Sequence, residues 1–138
     1  MIKLAIIGLG KWGQELVKSV NSKSKIVKFT SVISRNPEKI IKETRQLNVV
    51  AFKTFEEMLS EKKIDGFVLC TPHSSHEKQI KNLIKYKKAI FVEKPLALNS
   101  SSAKKIITAC KKNKILLAVG QNRRFLETFI YLKKQIIR

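Results

Sequence analysis

Three glycines near the N-terminus have the spacing of a phosphate-binding turn. Gly8, Gly10 and Gly13 follow the largely apolar run Ile2–Ile7 and precede a helical pattern that begins at Gln14. In such a strand–turn–helix unit the first glycine permits the tight turn, the second lets a pyrophosphate approach the backbone, and the third lets the helix pack close to the sheet. An ordinary glycine-rich turn is the alternative. The strand and helix on either side favour a dinucleotide site, with helix N–H groups facing the phosphates.

A second candidate contact lies at the end of the next predicted strand, Lys25 to Ile33. Folds that prefer NAD place an acidic residue near here to bind the ribose 2′-hydroxyl, but this chain has Ser34 and Arg35. A serine can donate to a 2′-phosphate and an arginine can clamp it, whereas an acid would repel it. The pair therefore favours NADP over NAD, and a polar turn that merely starts a helix is the alternative.

Polar residues also follow the later predicted strands. Thr71-Pro72-His73-Ser74-Ser75-His76 comes after one apolar run, and Gly120-Gln121-Asn122-Arg123-Arg124 after another. Ser74 and Glu77 have the spacing of a capping box, which would put His76 at the second helical position. Polar surface for His76 and a charged loop for 121–124 are the alternatives to a functional role.

Glu93-Lys94-Pro95 follows a further predicted strand, Ala89–Val92. Pro95 biases Lys94 toward an extended backbone, which directs the lysine over the edge of the sheet. Held there in partial burial, its amine could exchange a proton with a substrate hydroxyl. In so lysine-rich a chain, an ordinary surface lysine is the simpler interpretation of Lys94 alone.

The elements that would position these residues alternate between strand and helix. Strands are also predicted at Val49 to Phe52, Gly66 to Cys70 and Ile115 to Val119, and a last helix at Leu126 to about Ile137. Asn36 with Pro37, Thr54 with Glu57, and Asn99 or Ser100 provide further helix starts. The alternation predicts an α/β fold with a doubly wound parallel sheet and helices on both faces.

Composition narrows the class of protein. The 138 residues are 43% hydrophobic and lack an apolar run of the ~18 residues that a membrane span needs. Cys70 and Cys110 form no metal-ligand pattern, so no metal is expected, and a reduced cytoplasmic setting with both as buried apolar residues is the default. The net charge of +19 raises nucleic-acid binding as an alternative, but the lysines form no stripe and aromatic residues are only 7%. A lysine-rich solvated surface, whose field would attract an anionic cofactor, is favoured.

Four motifs at successive strand ends together resemble the Gfo/Idh/MocA oxidoreductases, the group of glucose–fructose oxidoreductase and inositol dehydrogenase. They are Gly8-Leu9-Gly10-Lys11-Trp12-Gly13, Thr71-Pro72-x-x-x-His76, Glu93-Lys94-Pro95-Leu96-Ala97 and Gly120-x-x-x-Arg124-Phe125. The resemblance covers essentially the whole chain. It implies a Rossmann-type NAD(P)-binding domain of an enzyme that oxidises or reduces sugars, cyclitols or related hydroxy compounds by hydride transfer.

The resemblance also implies roles for individual residues. Lys94 corresponds to the family lysine near the nicotinamide and the reacting carbon, and is the predicted catalytic residue. The predicted cofactor-binding residues are Gly8, Gly10, Lys11, Trp12, Gly13, Ser34, Arg35, Thr71, Pro72, His76, Glu93, Lys94, Asn122 and Arg124.

Family members are much longer and continue into a second α/β domain, which forms the substrate floor and usually mediates oligomerisation. Residues 1–125 are therefore expected to be the NAD(P)-binding domain, and 126–138 a helix that leads toward a second domain lacking here. A truncated gene and a free-standing nucleotide-binding module without turnover are both open alternatives to a dehydrogenase domain. A sugar-like substrate is expected only where a second domain is supplied.

Overall fold

The computed structural model describes residues 1–61 and 63–137 and contains one six-stranded parallel sheet, with the strand order β3-β2-β1-β4-β5-β6. The strands are β1 Ile2–Ile7, β2 Val27–Ile33, β3 Val50–Phe52, β4 Gly66–Leu69, β5 Ala89–Val92 and β6 Leu117–Val119. This is the order of a dinucleotide-binding sheet, and its direction of winding reverses between β1 and β4. The predicted doubly wound α/β fold is confirmed.

Among the described residues, six α-helices join or follow the strands. They are α1 Lys11–Lys23, α2 Ile41–Leu47, α3 Phe55–Glu61, α4 His76–Leu83, α5 Ser100–Lys112 and α6 Glu127–Ile136. Short 3₁₀ turns occupy Pro37–Ile40, His73–Ser75, Ile84–Tyr86 and Asn122–Phe125. Within the part of the chain that the structure describes, no helix combines the length and the apolar character that a membrane crossing requires.

Two apolar clusters cover the two faces of the sheet. Val17 of α1 packs with Ile6, Phe29 and Val32 on one face. On the other face the sheet residues pack against the helices that join β3 to β6; the helical members are Met58, Ile80, Leu83, Ile106 and Cys110. Adjacent strand residues such as Ile6 and Ile7 enter opposite clusters, as the pleat requires. Helices therefore lie on both faces, as predicted.

Helix α6 differs from the other helices, because none of its residues is buried. Its large apolar side chains are exposed; they include Phe129, Ile130, Tyr131, Leu132 and Ile136. The predicted segment 126–138 thus contains a helix, although Arg138 lies outside the described residues.

Several strands begin later than the sequence predicts, because backbone N–H groups near their predicted starts donate to local acceptors and not to a neighbouring strand. Strand β2 begins two residues later than predicted, since Ser24 Oγ accepts from the N–H groups of Ile26 and Val27 at 3.2 and 3.0 Å. Strand β6 begins at Leu117 rather than Ile115, because the Ile115 N–H donates to the Cys110 carbonyl at 2.9 Å and closes α5. Lys114 has the left-handed φ of 56° that such a helix ending uses.

Of the predicted helix caps, those of Thr54 and Asn99 are confirmed, and those of Asn36 and Ser74 are wrong. Thr54 Oγ1 accepts from the Glu57 N–H at 3.1 Å, and Asn99 Oδ1 accepts from the Ser102 N–H at 2.8 Å. Ser74 does not cap α4, because it lies inside the 3₁₀ turn His73–Ser75 and the helix starts at His76. His76 is consequently the first helical residue and is fully buried, not polar surface.

Candidate functional site

The turn between β1 and α1 is built so that two of its residues must be glycine. Gly8 has φ +96°, and a Cβ there would lie 2.6 Å from the Cys70 carbonyl oxygen. A Cβ on Gly13 would collide with the carbonyl oxygen of Gly8 and touch Ile6. Both glycines therefore let the start of α1 lie directly against the turn and the end of the sheet.

Gly10 is different, because the space beside it is open. A Cβ there would have no described atom within 4 Å. Gly10 is the N-cap of α1, and no side chain in the described structure caps that helix end. Its first turn holds Lys11 and no acidic residue, so the unpaired N–H groups and the helix dipole face outward without a competing negative charge. This cradle fits an anionic pyrophosphate.

A cleft of about 410 Å³ lies beside this turn, at the carboxyl ends of β1, β4, β5 and β6. Its walls come from all four strand ends, which is where open parallel sheets bind ligands. The lining residues are Trp12, Cys70, Thr71, His73, Glu93, Lys94, Asn122 and Arg123. The sheet topology therefore gathers residues that are more than 100 positions apart in the sequence.

The structure brings many of the predicted site residues together, but not all of them. Trp12, Thr71, Glu93, Lys94 and Asn122 line the cleft. Lys11 and the three glycines form the adjoining turn, and Pro72 is exposed beside Thr71. Arg124 instead lines a separate cavity along α6, with Phe129, Ile130, Lys133, Lys134 and Ile137.

Cys70, His73 and Arg123 line the cleft without having been predicted as site residues. Cys70 is expected to be a buried apolar residue; it is half-buried and packs against the cluster that contains Ile6 and Val17, but it also lines the cleft. His73 and Arg123 stand in the predicted strand-end stretches. Their position directly after a strand was the signal that could have identified them.

The backbone of Lys94 is restrained by Glu93 and Pro95, whereas its side chain is exposed. Its N–H donates to Glu93 Oε2 at 3.3 Å, and the Lys94–Pro95 peptide bond is cis. Gly120 allows β6 to end beside this carboxylate, since a Cβ on Gly120 would lie 3.0 Å from Glu93 Oε1. The expected partial burial of Lys94 is not found, because the cleft is open on the side of this lysine.

The Cys70 thiol is a poor nucleophile in this cleft. Burial raises its pKa to about 12, and the negative charge of Glu93 adds to the effect. The reactive form of cysteine is the thiolate, so a neutral thiol here contributes shape and not chemistry. The other lining residues with ionisable side chains are His73, Glu93, Lys94 and Arg123.

His76 and Gln79 of α4 fasten the end of β4 from behind the cleft. His76 Nε2 lies 3.1 Å from the Thr71 carbonyl oxygen, and its Nδ1 lies 2.9 Å from the Pro95 carbonyl oxygen. The Thr71 hydroxyl donates to Gln79 Oε1 at 2.5 Å. The His76 ring has no exposed surface. Its atoms therefore reach the backbone behind the cleft and not the cleft itself.

Ser34 and Arg35 lie at the end of β2, on the far side of the glycine turn. The Ser34 N–H donates to the Phe52 carbonyl at 3.0 Å, which fixes the serine at the edge of the sheet. Its Oγ accepts from the Asn36 N–H at 3.2 Å, so the hydroxyl hydrogen is still available to a ligand. Arg35 is exposed. The Asn36 side chain does not cap the following turn, contrary to its predicted role.

The chain is similar in sequence to one family of oxidoreductases and to several of its relatives. Residues 2–121 match the model of an oxidoreductase family described as having an NAD-binding Rossmann fold. Myo-inositol 2-dehydrogenase of Thermotoga maritima is 29% identical over 98% of this chain and 40% of its own length. The 2,7-anhydro-N-acetylneuraminate hydratase of Escherichia coli is 28% identical over 99% of this chain and 36% of its own length.

A solved structure extends the comparison to three dimensions. Scyllo-inositol dehydrogenase from Lactobacillus casei, with bound NAD(H) and scyllo-inositol, superposes with a TM-score of 0.86 at 25% identity. The match covers 99% of this chain and 41% of that one. The chain thus spans about two fifths of the length of the proteins it resembles.

Proposed function

The chain belongs to the Gfo/Idh/MocA oxidoreductase family, and from that premise we propose that it binds NAD(P)(H) across the glycine turn and the strand-end cleft as the nucleotide-binding part of a sugar or cyclitol oxidoreductase. The observation that carries the proposal is the open space at Gly10 beside the uncapped start of α1. A dinucleotide pyrophosphate has the charge and the size for that space.

Different residues would bind different parts of the cofactor. Gly8, Gly10, Lys11 and Gly13 would hold the pyrophosphate, and Ser34 with Arg35 would bind the adenosine ribose or its 2′-phosphate. The nicotinamide end would lie over the cleft, against Trp12, Thr71, Pro72, Glu93 and Asn122. Of the remaining predicted contacts, Arg124 would need the loop 121–126 to turn toward the cleft, and His76 would act through the backbone that it holds.

The nicotinamide, when bound, supplies the hydride acceptor or donor. Lys94 is the residue that this chain offers for the accompanying proton, since it lines the cleft just after β5 and is exposed. The substrate would be a secondary alcohol of a sugar or a cyclitol, as the names of the inositol dehydrogenases suggest. Its hydroxyl would exchange a proton with Lys94 while hydride moves to or from the same carbon.

The experiment uses Trp12, which is the chain's single tryptophan and lines the cleft with about half of its surface exposed. Its fluorescence overlaps the absorption of reduced nicotinamide, so NADH or NADPH bound in the cleft should quench it by energy transfer. Titration calorimetry measures the affinity independently. Trp12→Phe is the matched control, in which the transfer should vanish while saturable binding persists. Absence of saturable heat with both reduced dinucleotides would contradict the proposal.

A further inference from the structure

The buried ring of His76 joins two backbone segments that form different walls of the cleft. Nε2 reaches the Thr71 carbonyl at 3.1 Å, directly after β4, and Nδ1 reaches the Pro95 carbonyl at 2.9 Å, after β5. The second contact spans 19 residues of sequence. Since Pro95 follows Lys94, one imidazole ties the lysine-bearing loop to the end of the central strand.

The surroundings of His76 fix the ring itself. It begins α4, whose Ile80 and Leu83 are buried in the core, and it has no exposed surface. One turn along the helix, Gln79 holds the Thr71 side chain. The ring of His73, which does line the cleft, lies 5.7 Å away in an edge-on arrangement. The packing of α4 therefore fixes the position from which His76 contacts the loop at Pro95.

The loop around Lys94 has few other polar restraints. In the described structure the Lys94 N–H has one partner, Glu93 Oε2 at a long 3.3 Å, and the Lys94 side chain is exposed. Leu96 and Ala97 pack against the core on the other side of Pro95. The contact from Nδ1 to the Pro95 carbonyl therefore lies between the apolar anchor and the lysine.

We infer that His76 is a positioning residue for Lys94: its Nδ1–H donates to the Pro95 carbonyl and sets the lysine's place on the cleft wall. The inference rests on the proposed function for what Lys94 does, but its structural part does not need a cofactor. Both contacts end on carbonyl oxygens, which only accept, so a ring nitrogen holds its carbonyl by donating an N–H, and the shorter of the two contacts is the one assigned here. An aliphatic side chain would leave the Pro95 carbonyl without this donor.

Two substitutions separate the two contacts. His76→Asn places an amide N–H near the position of Nδ1 and retains a donor for Pro95. His76→Gln places it near the position of Nε2 and retains a donor for Thr71. His76→Leu removes both ring nitrogens and so both contacts. Ile80→Ala is the matched control, because it weakens the packing of the same helix one turn away without touching either carbonyl.

The first measurement is ¹⁵N relaxation of the Lys94 and Leu96 amides in the full chain without cofactor. We expect order parameters of about 0.85 in the unmodified protein, His76→Asn and Ile80→Ala, and values below about 0.6 in His76→Gln and His76→Leu. If His76→Leu does not fold, the Asn and Gln pair decides. Equal order parameters in all folded variants, or a loop already mobile in the unmodified protein, would overturn the inference.

The second measurement is NADPH affinity by calorimetry. His76→Gln should weaken binding by about tenfold relative to His76→Asn, because binding must then order a backbone residue that is otherwise fixed. If the unmodified protein does not bind NADPH, the proposed function is contradicted. The role of His76 in positioning the loop is then decided by the order parameters alone. Equal affinities in the Asn and Gln variants, with normal binding by the unmodified protein, would contradict the positioning role.

Discussion

The carbonyl oxygen of Gly8 lies where a Cβ of Gly13 would have to be. Gly8 itself has φ +96°, so neither residue can carry a side chain without moving the turn or the helix. Gly10, between them in sequence, has no such constraint in the protein without ligand. The three glycines of one motif therefore divide into two that the fold requires and one, Gly10, that the fold does not require but the proposed pyrophosphate would.

This division predicts opposite results for two substitutions. Gly13→Ala should reduce the free energy of unfolding by about 1–3 kcal/mol, because the new methyl group overlaps backbone. Gly10→Val should leave stability within about 0.5 kcal/mol, yet weaken dinucleotide binding about tenfold or more, because its side chain fills the phosphate cradle. Denaturant titration and calorimetry measure the two effects. Unchanged affinity in a folded Gly10→Val protein would refute the assignment of the turn.

The residues at the end of β2 predict a preference for NADPH over NADH. Arg35→Ala should weaken NADPH binding by roughly 1.5–3 kcal/mol, the value of a hydrogen bond to a charged group, and leave NADH binding little changed. Arg45→Ala is the control, since it removes the same positive charge from an exposed residue of α2, away from the end of β2. Equal losses in both variants would mean that only the overall positive field matters. A preference of the unmodified protein for NADH would show that the interpretation of Ser34 and Arg35 is wrong.

The parts of this structure that local pattern determines were predictable from the sequence. The glycine turn has fixed offsets, and the order of strands and helices follows from the alternation of apolar periodicities. The Thr54–Glu57 and Asn99 caps also depend on residues only three positions apart. Each of these features is decided within one turn of helix or one strand.

The sequence prediction failed where distant residues or a one-residue shift decide the outcome. The burial of His76 depends on a carbonyl 19 residues away, which no local pattern indicates. The 3₁₀ turn Asn122–Phe125 determines that Arg123 and not Arg124 lines the cleft, and the sequence of two adjacent arginines cannot distinguish them. The start of α4 after a 3₁₀ turn likewise shifted the expected cap by one residue.

The exposed carboxylate of Glu56 predicts part of the response to acid. The Tyr86 hydroxyl at 2.6 Å, the backbone of Glu56 and Lys85 at 3.2 Å lower its pKa from 4.5 to about 2. Because the folded pKa is depressed, the stabilisation is complete above pH 4.5 and is lost as the pH falls toward 2. Glu56→Gln should therefore flatten the dependence of unfolding free energy on pH in that window.

The control for this prediction is Glu15→Gln, on the exposed side of α1, which changes the net charge equally and belongs to none of the described ion pairs. Its pH dependence should resemble that of the unmodified protein. Urea denaturation at a series of pH values between 2 and 5 measures both variants. Parallel curves for Glu56→Gln and the unmodified protein would show that the contact with Tyr86 does not survive in solution.

The last prediction concerns turnover, and it follows from the open side of the cleft. Lys94, Asn122 and Arg123 are all exposed, so within the described residues the proposed nicotinamide position has one wall. Hydride transfer needs donor and acceptor held at near-attack distance, and water around Lys94 weakens its electrostatic effect. The 138-residue chain should therefore bind dinucleotide but oxidise myo-inositol or scyllo-inositol slowly or not at all.

A fusion to the remaining three fifths of the Thermotoga relative should restore turnover measured as NAD(P)H formation. In that fusion Lys94→Arg should lower kcat about 10²–10⁴-fold, because a guanidinium keeps the charge but does not release its proton, whereas Lys104→Ala on α5 should not. Rapid oxidation of either inositol by the 138 residues alone would show that one wall is enough.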